Sequence, residues 1–266
     1  MYIVTASSDG YAQHMGVMLH SLLENLDNKT DTHIFIIEAN ISSENKCKLE
    51  RIVERFNLQA KFITVDDNLF NSFDTGIFWF GSKLCYGSKE AYYRIIIPDL
   101  LSKDITKVLY LDCDLIVEED ISTLWNINID DYFLAATEEG IKKKRKKTLS
   151  IPKKSSYFNA GVLLINLQKW RENNIPIQVI QYIKDNPTKI DYMDQDALNA
   201  ILHDKWLKLD PKWNYTNESK RRIHIENPAI IHFAGADKPW NSEHPFKKEY
   251  FKYLSSSLWE QENESI

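Results

Sequence analysis

Residues 107–117, KVLYLDCDLIV, constrain this chain more than any other stretch. The apolar run 108–111 reads as a buried strand. It ends in two carboxylates, Asp112 and Asp114, before the chain turns apolar again at Leu115. In an extended segment residues i and i+2 point to one side, so the carboxylates are expected to converge while Cys113 points away. Paired carboxylates repel unless positive charge sits between them. A hard divalent cation such as Mn²⁺ or Mg²⁺ supplies it, because both take oxygen ligands. Asp-x-Asp also arises by chance on surfaces. The strand in front of this one is what favours a metal site.

Short apolar runs at 2–6, 33–38, 60–65, 132–136 and 160–165 read as further strands. Between them lie helical periodicities. Met15, Met18, Leu19, Leu22, Leu23 and Leu26 form one apolar face, and Leu49, Ile52, Val53 and Phe56 form another behind a cap at Ser42 or Ser43. Further helices are expected at 178–183 and from Asp194 through Leu202. This alternation predicts an α/β fold with one mostly parallel sheet covered on both faces. The opening strand, polar turn and helix form a ligand-binding corner of such a fold. No glycine-rich dinucleotide fingerprint follows the first strand, which disfavours a dehydrogenase.

Other stretches carry bland readings beside functional ones. Residues 66–87 read as a long loop, either a lid or a place where Phe78, Trp79 and Phe80 pack on the core. Ser88 is positioned to cap a helix through Ile96, on which Arg94 is expected to be a solvated or salt-bridged surface residue. Asp194 reads first as a helix cap. The run 142–147, KKKRKK, reads as exposed and mobile, with an anionic acceptor or lipid headgroup as the alternative.

A chain of 266 residues suits one large domain, or one domain with a small appendage. A net charge of −5 leaves no footprint for nucleic acid. Cys47, Cys85 and Cys113 fit neither a disulfide framework nor a zinc spacing, which favours a reducing, cytoplasmic compartment. The N-terminus lacks the basic and apolar regions of a signal peptide. No apolar run is long enough to cross a bilayer.

Residues 230–240 read IIHFAGADKPW. An apolar strand ends at His232, Gly235 permits a tight turn, and Lys238 follows. A histidine with two aspartates matches the ligand set of Mn²⁺ better than that of a structural zinc. A glycine-bearing turn with a lysine suits a phosphate.

With these residues in hand the chain resembles glycosyltransferase family 8. YLDCDLIV, YFNAGVLLINLQKW, DQDALN and HFAGADKPW stand in the family's order and rough spacing, and the likeness runs from about Tyr2 to Trp240. It is nearest the bacterial lipopolysaccharide galactosyltransferase and stress-protein branch, with glycogenin more distant. The resemblance implies a GT-A fold with a catalytic domain over 1–240; beyond it, the aromatics and lysines of 245–259 read as a helical extension, 241–266, expected to cover part of the acceptor cleft. It implies retaining, Mn²⁺-dependent transfer of a hexose, galactose or glucose, from a UDP-sugar to a saccharide, glycolipid or glycoprotein, with Mg²⁺ as the alternative ion. Peripheral contact with a membrane stays open.

Residue by residue, the resemblance puts the metal on Asp112, Asp114 and His232, with Asp112, Cys113 and His232 also facing the donor. Gly235 and Lys238 match phosphate-contacting positions. Ala6, Ser8 and Tyr11 would hold uridine, and Arg94 would contact sugar and phosphate. Asn159, Asp194 and Gln195 match donor-sugar contacts, Gln195 and Asp194 being the catalytic candidates. Tyr86 and Glu139 fall on the acceptor side. The turn SSDGY departs from close relatives, which carry an acid and an asparagine at the positions of Ser8 and Gly10, so uracil is expected to rely on backbone groups or Asp9. Two alternatives stand beside this reading: a phosphohydrolase of haloacid dehalogenase type with a nucleophilic first aspartate, and a nucleotide-sugar binding protein without turnover.

Overall fold

The computed structural model describes residues 1–71, 73, 77–80, 83–86, 88–257 and 259; for 67, 77–80 and 83–86 it describes the course of the backbone alone. Eleven strands are present among the described residues: β1 (Tyr2–Ser7), β2 (His33–Glu38), β3 (Ala60–Thr64), β4 (Ile77–Phe80), β5 (Lys83–Tyr86), β6 (Lys107–Leu111), β7 (Leu115–Val117), β8 (Leu134–Ala136), β9 (Val162–Asn166), β10 (Trp206–Lys208) and β11 (Ile230–His232). Seven of them form one sheet in the order β10-β8-β9-β6-β1-β2-β3. Only β9 runs against its neighbours β6 and β8. The mostly parallel α/β fold expected from the sequence is therefore present.

β6 shows why the sheet carries two cores. Successive side chains of a strand face opposite sides. Leu109 and Leu111 enter one buried cluster with the helices Ala12–Asn25 and Ser43–Glu54, while Val108 and Tyr110 enter the other with Tyr92, Tyr93, Trp170 and Leu198. Both faces are dry, so the strands read as continuous apolar runs rather than alternating ones. Ser42 caps the second helix by accepting from the Asn45 N–H at 3.3 Å.

The chain leaves β1 toward β2, whereas β6 lies on the other side of β1. Strand order reverses there, and in open α/β sheets the crevice at the carboxyl ends of such a pair is where ligands bind. Ser7 and Ser8 emerge there from β1 and Asp112 from β6. A separate antiparallel ribbon of β7 and β11 pairs Leu115 with His232.

Several expectations need correction. Residues 66–87 are not one long loop: Asp67–Phe70 is a 3₁₀ turn, and β4 and β5 form a hairpin. The Ser88 segment is a 3₁₀ helix, Lys89–Ile96, without a side-chain cap. Within the basic run, Lys143–Thr148 is helical. The C-terminal helix Lys247–Ser257 packs on Ala12–Asn25: Asn25 donates to the Tyr253 hydroxyl at 2.8 Å, and His14 Nδ1 lies 2.6 Å from the Tyr250 hydroxyl. No helix among the described residues is long and apolar enough to cross a membrane.

Candidate active site

A cavity of about 1440 Å³ opens at the carboxyl ends of β1 and β6. Ala6, Ser8, Tyr11, Arg94, Asp112, Cys113, Asp114, Glu139, Asn159, Asp194, Gln195, His232, Gly235 and Lys238 all line it. These predicted residues come from segments up to 232 positions apart in sequence (238 − 6). Tyr86 is the exception, because its side chain lies outside the described residues.

The floor is built by strand ends. β6 stops at Leu111 and the chain bends at Cys113 and Asp114, so the aspartates converge through a bend and not along an extended strand. Cys113 lines the cavity and also packs against the core, and burial pushes its thiol pKa up. β11 brings His232 alongside, and the Phe233 N–H donates to the Asp114 carbonyl at 3.0 Å. His232 Nε2 then lies 3.3 Å from Asp114 Oδ1 and 3.7 Å from Asp112 Oδ2. One ligand atom from each of the three residues falls within 4.8 Å of the others. Two carboxylate oxygens and one imidazole nitrogen at this spacing fit a hard or borderline divalent cation.

Lys238 supplies the positive charge in the protein itself. Its Nζ donates to Asp114 Oδ2 and, at 2.6 Å, to the Phe233 carbonyl. Burial alone would raise the Asp114 pKa, yet Lys238 and His232 hold it well below the usual carboxylate range. Gly235 takes φ 92°, a conformation that L side chains rarely adopt, so the turn before Lys238 requires glycine.

A second cluster shares Asp112. Arg94 is 5% exposed, not the surface residue expected of a lone helical arginine. Nη2 lies 3.0 Å from Asp112 Oδ1, Nε lies 2.9 Å from Asp194 Oδ2, and Nη1 donates to the Ala160 carbonyl. The guanidinium also sits 4.6 Å from the Tyr110 ring centre. Asp194 is accordingly not a cap. Burial raises its pKa to about 7, against the pull of Arg94.

Asp194 and Gln195 are placed by a strained entry into the helix Met193–Leu202. Met193 adopts φ 46°, a left-handed conformation costing about 1–2 kcal/mol in an L residue. Asp196 Oδ2 holds the turn by accepting the Asp191 and Tyr192 N–H groups at 2.8 and 2.6 Å. Arg145, from the basic run, pairs with Asp191 at 2.7 Å and with Asp196. That arginine is a buttress, while Lys142, Lys143, Lys144 and Lys147 are exposed. Gln195 Oε1 accepts the Ala160 N–H at 2.9 Å. Asp9 Oδ1 accepts the Ser42 N–H at 2.8 Å and the Asn45 side-chain amide at 2.7 Å, and Asp9 is absent from the cavity lining.

Sequence reasoning missed two residues at the site. A Cβ on Gly161 would lie 2.2 Å from His232 Cε1 and 2.8 Å from Asp112 Oδ2, so only glycine admits the histidine. Asn214 is fully buried against His232. FNAG lay inside a motif already singled out; nothing local marked Asn214.

A twisted α/β sheet with a carboxylate–imidazole cluster in its switch-point cavity is the architecture of a GT-A enzyme. The family model described as glycosyl transferase family 8 matches residues 2–244. General stress protein A of Bacillus subtilis is 37% identical over 279 aligned positions, covering 97% of this chain and 94% of that protein. The lipopolysaccharide 1,3-galactosyltransferase of Salmonella typhimurium is 29% identical, covering 92% and 74%. The crystal structure of the galactosyltransferase LgtC with donor and acceptor sugar analogues superposes with a TM-score of 0.87 at 25% identity, covering 96% of each chain. The chain belongs to glycosyltransferase family 8 and has its GT-A fold.

Proposed function

We propose that this protein is a retaining hexosyltransferase that moves galactose or glucose from a UDP-sugar to a glycan-type acceptor with Mn²⁺ bound, Mg²⁺ being the alternative. The observation that carries the reading is the meeting of Asp112, Asp114 and His232 beside Lys238 at the floor of one cavity. Asp112, Asp114 and His232 would hold the ion. Bound there, the ion supplies a Lewis acid for the diphosphate oxygens.

The roles of the chain's residues follow from charge. Lys238 is positioned to meet negative charge as it develops on the leaving phosphate. The turn at Gly235 brings backbone near that phosphate, and Ala6, Ser8 and Tyr11 line the end suited to the uridine. Arg94, fixed between Asp112 and Asp194, orients the donor sugar with Asn159 and Asp194. Transfer proceeds on one face. The acceptor oxygen bonds to the anomeric carbon as the bond to the phosphate breaks, and the acceptor proton passes to the departing phosphate oxygen. Gln195, an amide and a poor nucleophile, only steadies the developing cation with the lone pair its Ala160 contact leaves free. Asp196 is fully buried and held by Arg145, Tyr157 and two N–H groups, so it is no nucleophile. The phosphohydrolase alternative needs a free Asp112, whose Oδ1 instead lies with Arg94 and the Tyr110 hydroxyl.

UDP release measured across UDP-Gal, UDP-Glc, UDP-GlcNAc and UDP-GalNAc tests this reading. It predicts Mn²⁺-dependent release with a UDP-hexose, reduced at least about a hundredfold by Asp114→Ala. Release that survives chelation and that substitution unchanged would reject it.

A further inference from the structure

Behind His232 lies a relay of amides that fixes which ring nitrogen faces the aspartates. It begins at a backbone N–H, which cannot be turned round. Gly161 N donates to Asn159 at 2.9 Å, so that end of the Asn159 amide is oxygen. Asn214 lies 2.7 Å from the same oxygen, so the end of Asn214 facing it is nitrogen. The other end of Asn214 is then oxygen, 2.9 Å from His232 Nδ1. An oxygen that only accepts requires a hydrogen on Nδ1. Nε2 is thus the ring nitrogen left to offer a lone pair, and it is the one beside Asp114 and Asp112. The far end of the relay is anchored too, since Asn159 Nδ2 donates to Glu139 Oε2 at 2.7 Å.

We propose that Asn214 is a positioning residue for the divalent cation: with Asn159 and the Gly161 N–H it locks His232 in the orientation and tautomer that present Nε2 to the ion. The inference rests on the metal-dependent reading above. Asn214 is completely buried, so water cannot replace it as the acceptor. Partners of this kind behind a metal-ligating histidine typically change metal affinity 10- to 100-fold.

The test uses full-length protein and Mn²⁺ as the probe, with affinity read by calorimetry in the presence of UDP. Asn214→Leu, which cannot accept, is expected to weaken Mn²⁺ binding about 10- to 100-fold. Asn214→Asp still accepts from Nδ1–H but sets an oxygen against Asn159 Oδ1 where the amide donates, so it is expected to recover only part of the affinity lost in Asn214→Leu. A residue that only fills space would give the reverse order, because a buried leucine is tolerated where a buried carboxylate is not. Nitrogen-15 NMR of histidine-labelled, metal-free wild type gives a second readout, independent of variants that fail to fold. A hydrogen on His232 Nδ1 supports the relay; a bare Nδ1 with hydrogen on Nε2 alone overturns it. Wild-type Mn²⁺ affinity in Asn214→Leu also overturns it. A wild type that binds no Mn²⁺ overturns the metal reading itself.

Discussion

Two polar clusters share Asp112, and they are built in opposite ways. Around Arg94 the charges are closed: Arg94 is 5% exposed and Asp194 3%, and the guanidinium spends its nitrogens on Asp112, Asp194 and backbone carbonyls. Around His232 they are open. Asp112 and Asp114 keep 21% and 16% of their side chains accessible to the cavity, with Lys238 as the neighbouring cation. The closed cluster is scaffold that also lines the cavity. The open one is underneutralised on the side that faces solvent, which is where the proposed ion and diphosphate would bind. The difference teaches that a buried arginine here fixes the site, whereas the aspartates and histidine remain available for ligation.

Breaking the closed cluster should have the largest effect on folding. Arg94→Met leaves Asp112 and Asp194 without their buried partner and is expected to cost about 3–5 kcal/mol in urea unfolding. Arg94→Lys should rescue little, because one ammonium cannot meet groups served by three guanidinium nitrogens. A loss below about 1 kcal/mol would show the pair to behave like an exposed salt bridge.

The open cluster should answer in function more than in stability. Lys238→Met is expected to lower turnover roughly a hundredfold, by analogy with removing one preorganised donor. Thermal unfolding should shift only a few degrees, about what 1–2 kcal/mol produces in a chain of this size. An equal loss of stability and rate would place Lys238 with the scaffold.

A smaller effect sharpens the comparison from outside both clusters. His14 stacks on Trp240 with ring centres 3.6 Å apart, and burial lowers its pKa to about 4 from the ordinary 6.5, with Asp114 pulling the other way. Between those values the unfolded chain takes up a proton that the folded chain refuses. Stability from this group is complete above pH 6.5 and is lost as pH falls toward 4. The contribution is about 2 kcal/mol after discounting for partial exposure. His14→Gln should flatten that part of the pH–stability curve; an unchanged acid limb would remove His14 as its source.

What could be read from the sequence follows the range of the forces involved. Apolar runs marked β1, β2, β6 and β9, because strand burial is written in consecutive residues. Asp112 and Asp114 were visible for the same reason, standing where such a run ends. β10, Trp206–Lys208, is too short to show a pattern. For β4 and β5 the signal is weak but present: two short apolar runs flank Gly-Ser, a hairpin pattern. Local periodicity says nothing of the burial of Arg94, because its partners lie 18 and 100 residues away (112 − 94; 194 − 94). Asn214 was invisible for a like reason: its partners, Asn159 and His232, are 55 and 18 positions distant. Capping and core packing are local or periodic, whereas a polar network exists only once the chain has folded.

UDP affinity with and without Mn²⁺, measured by calorimetry on wild type and Asp114→Ala, tests the central claim most directly. The expected result is at least about tenfold tighter UDP binding with Mn²⁺ in wild type, a gain of 1.4 kcal/mol or more, and no gain in Asp114→Ala. Equal UDP affinity with and without the ion in wild type would contradict the assignment of Asp112, Asp114 and His232 as its ligands.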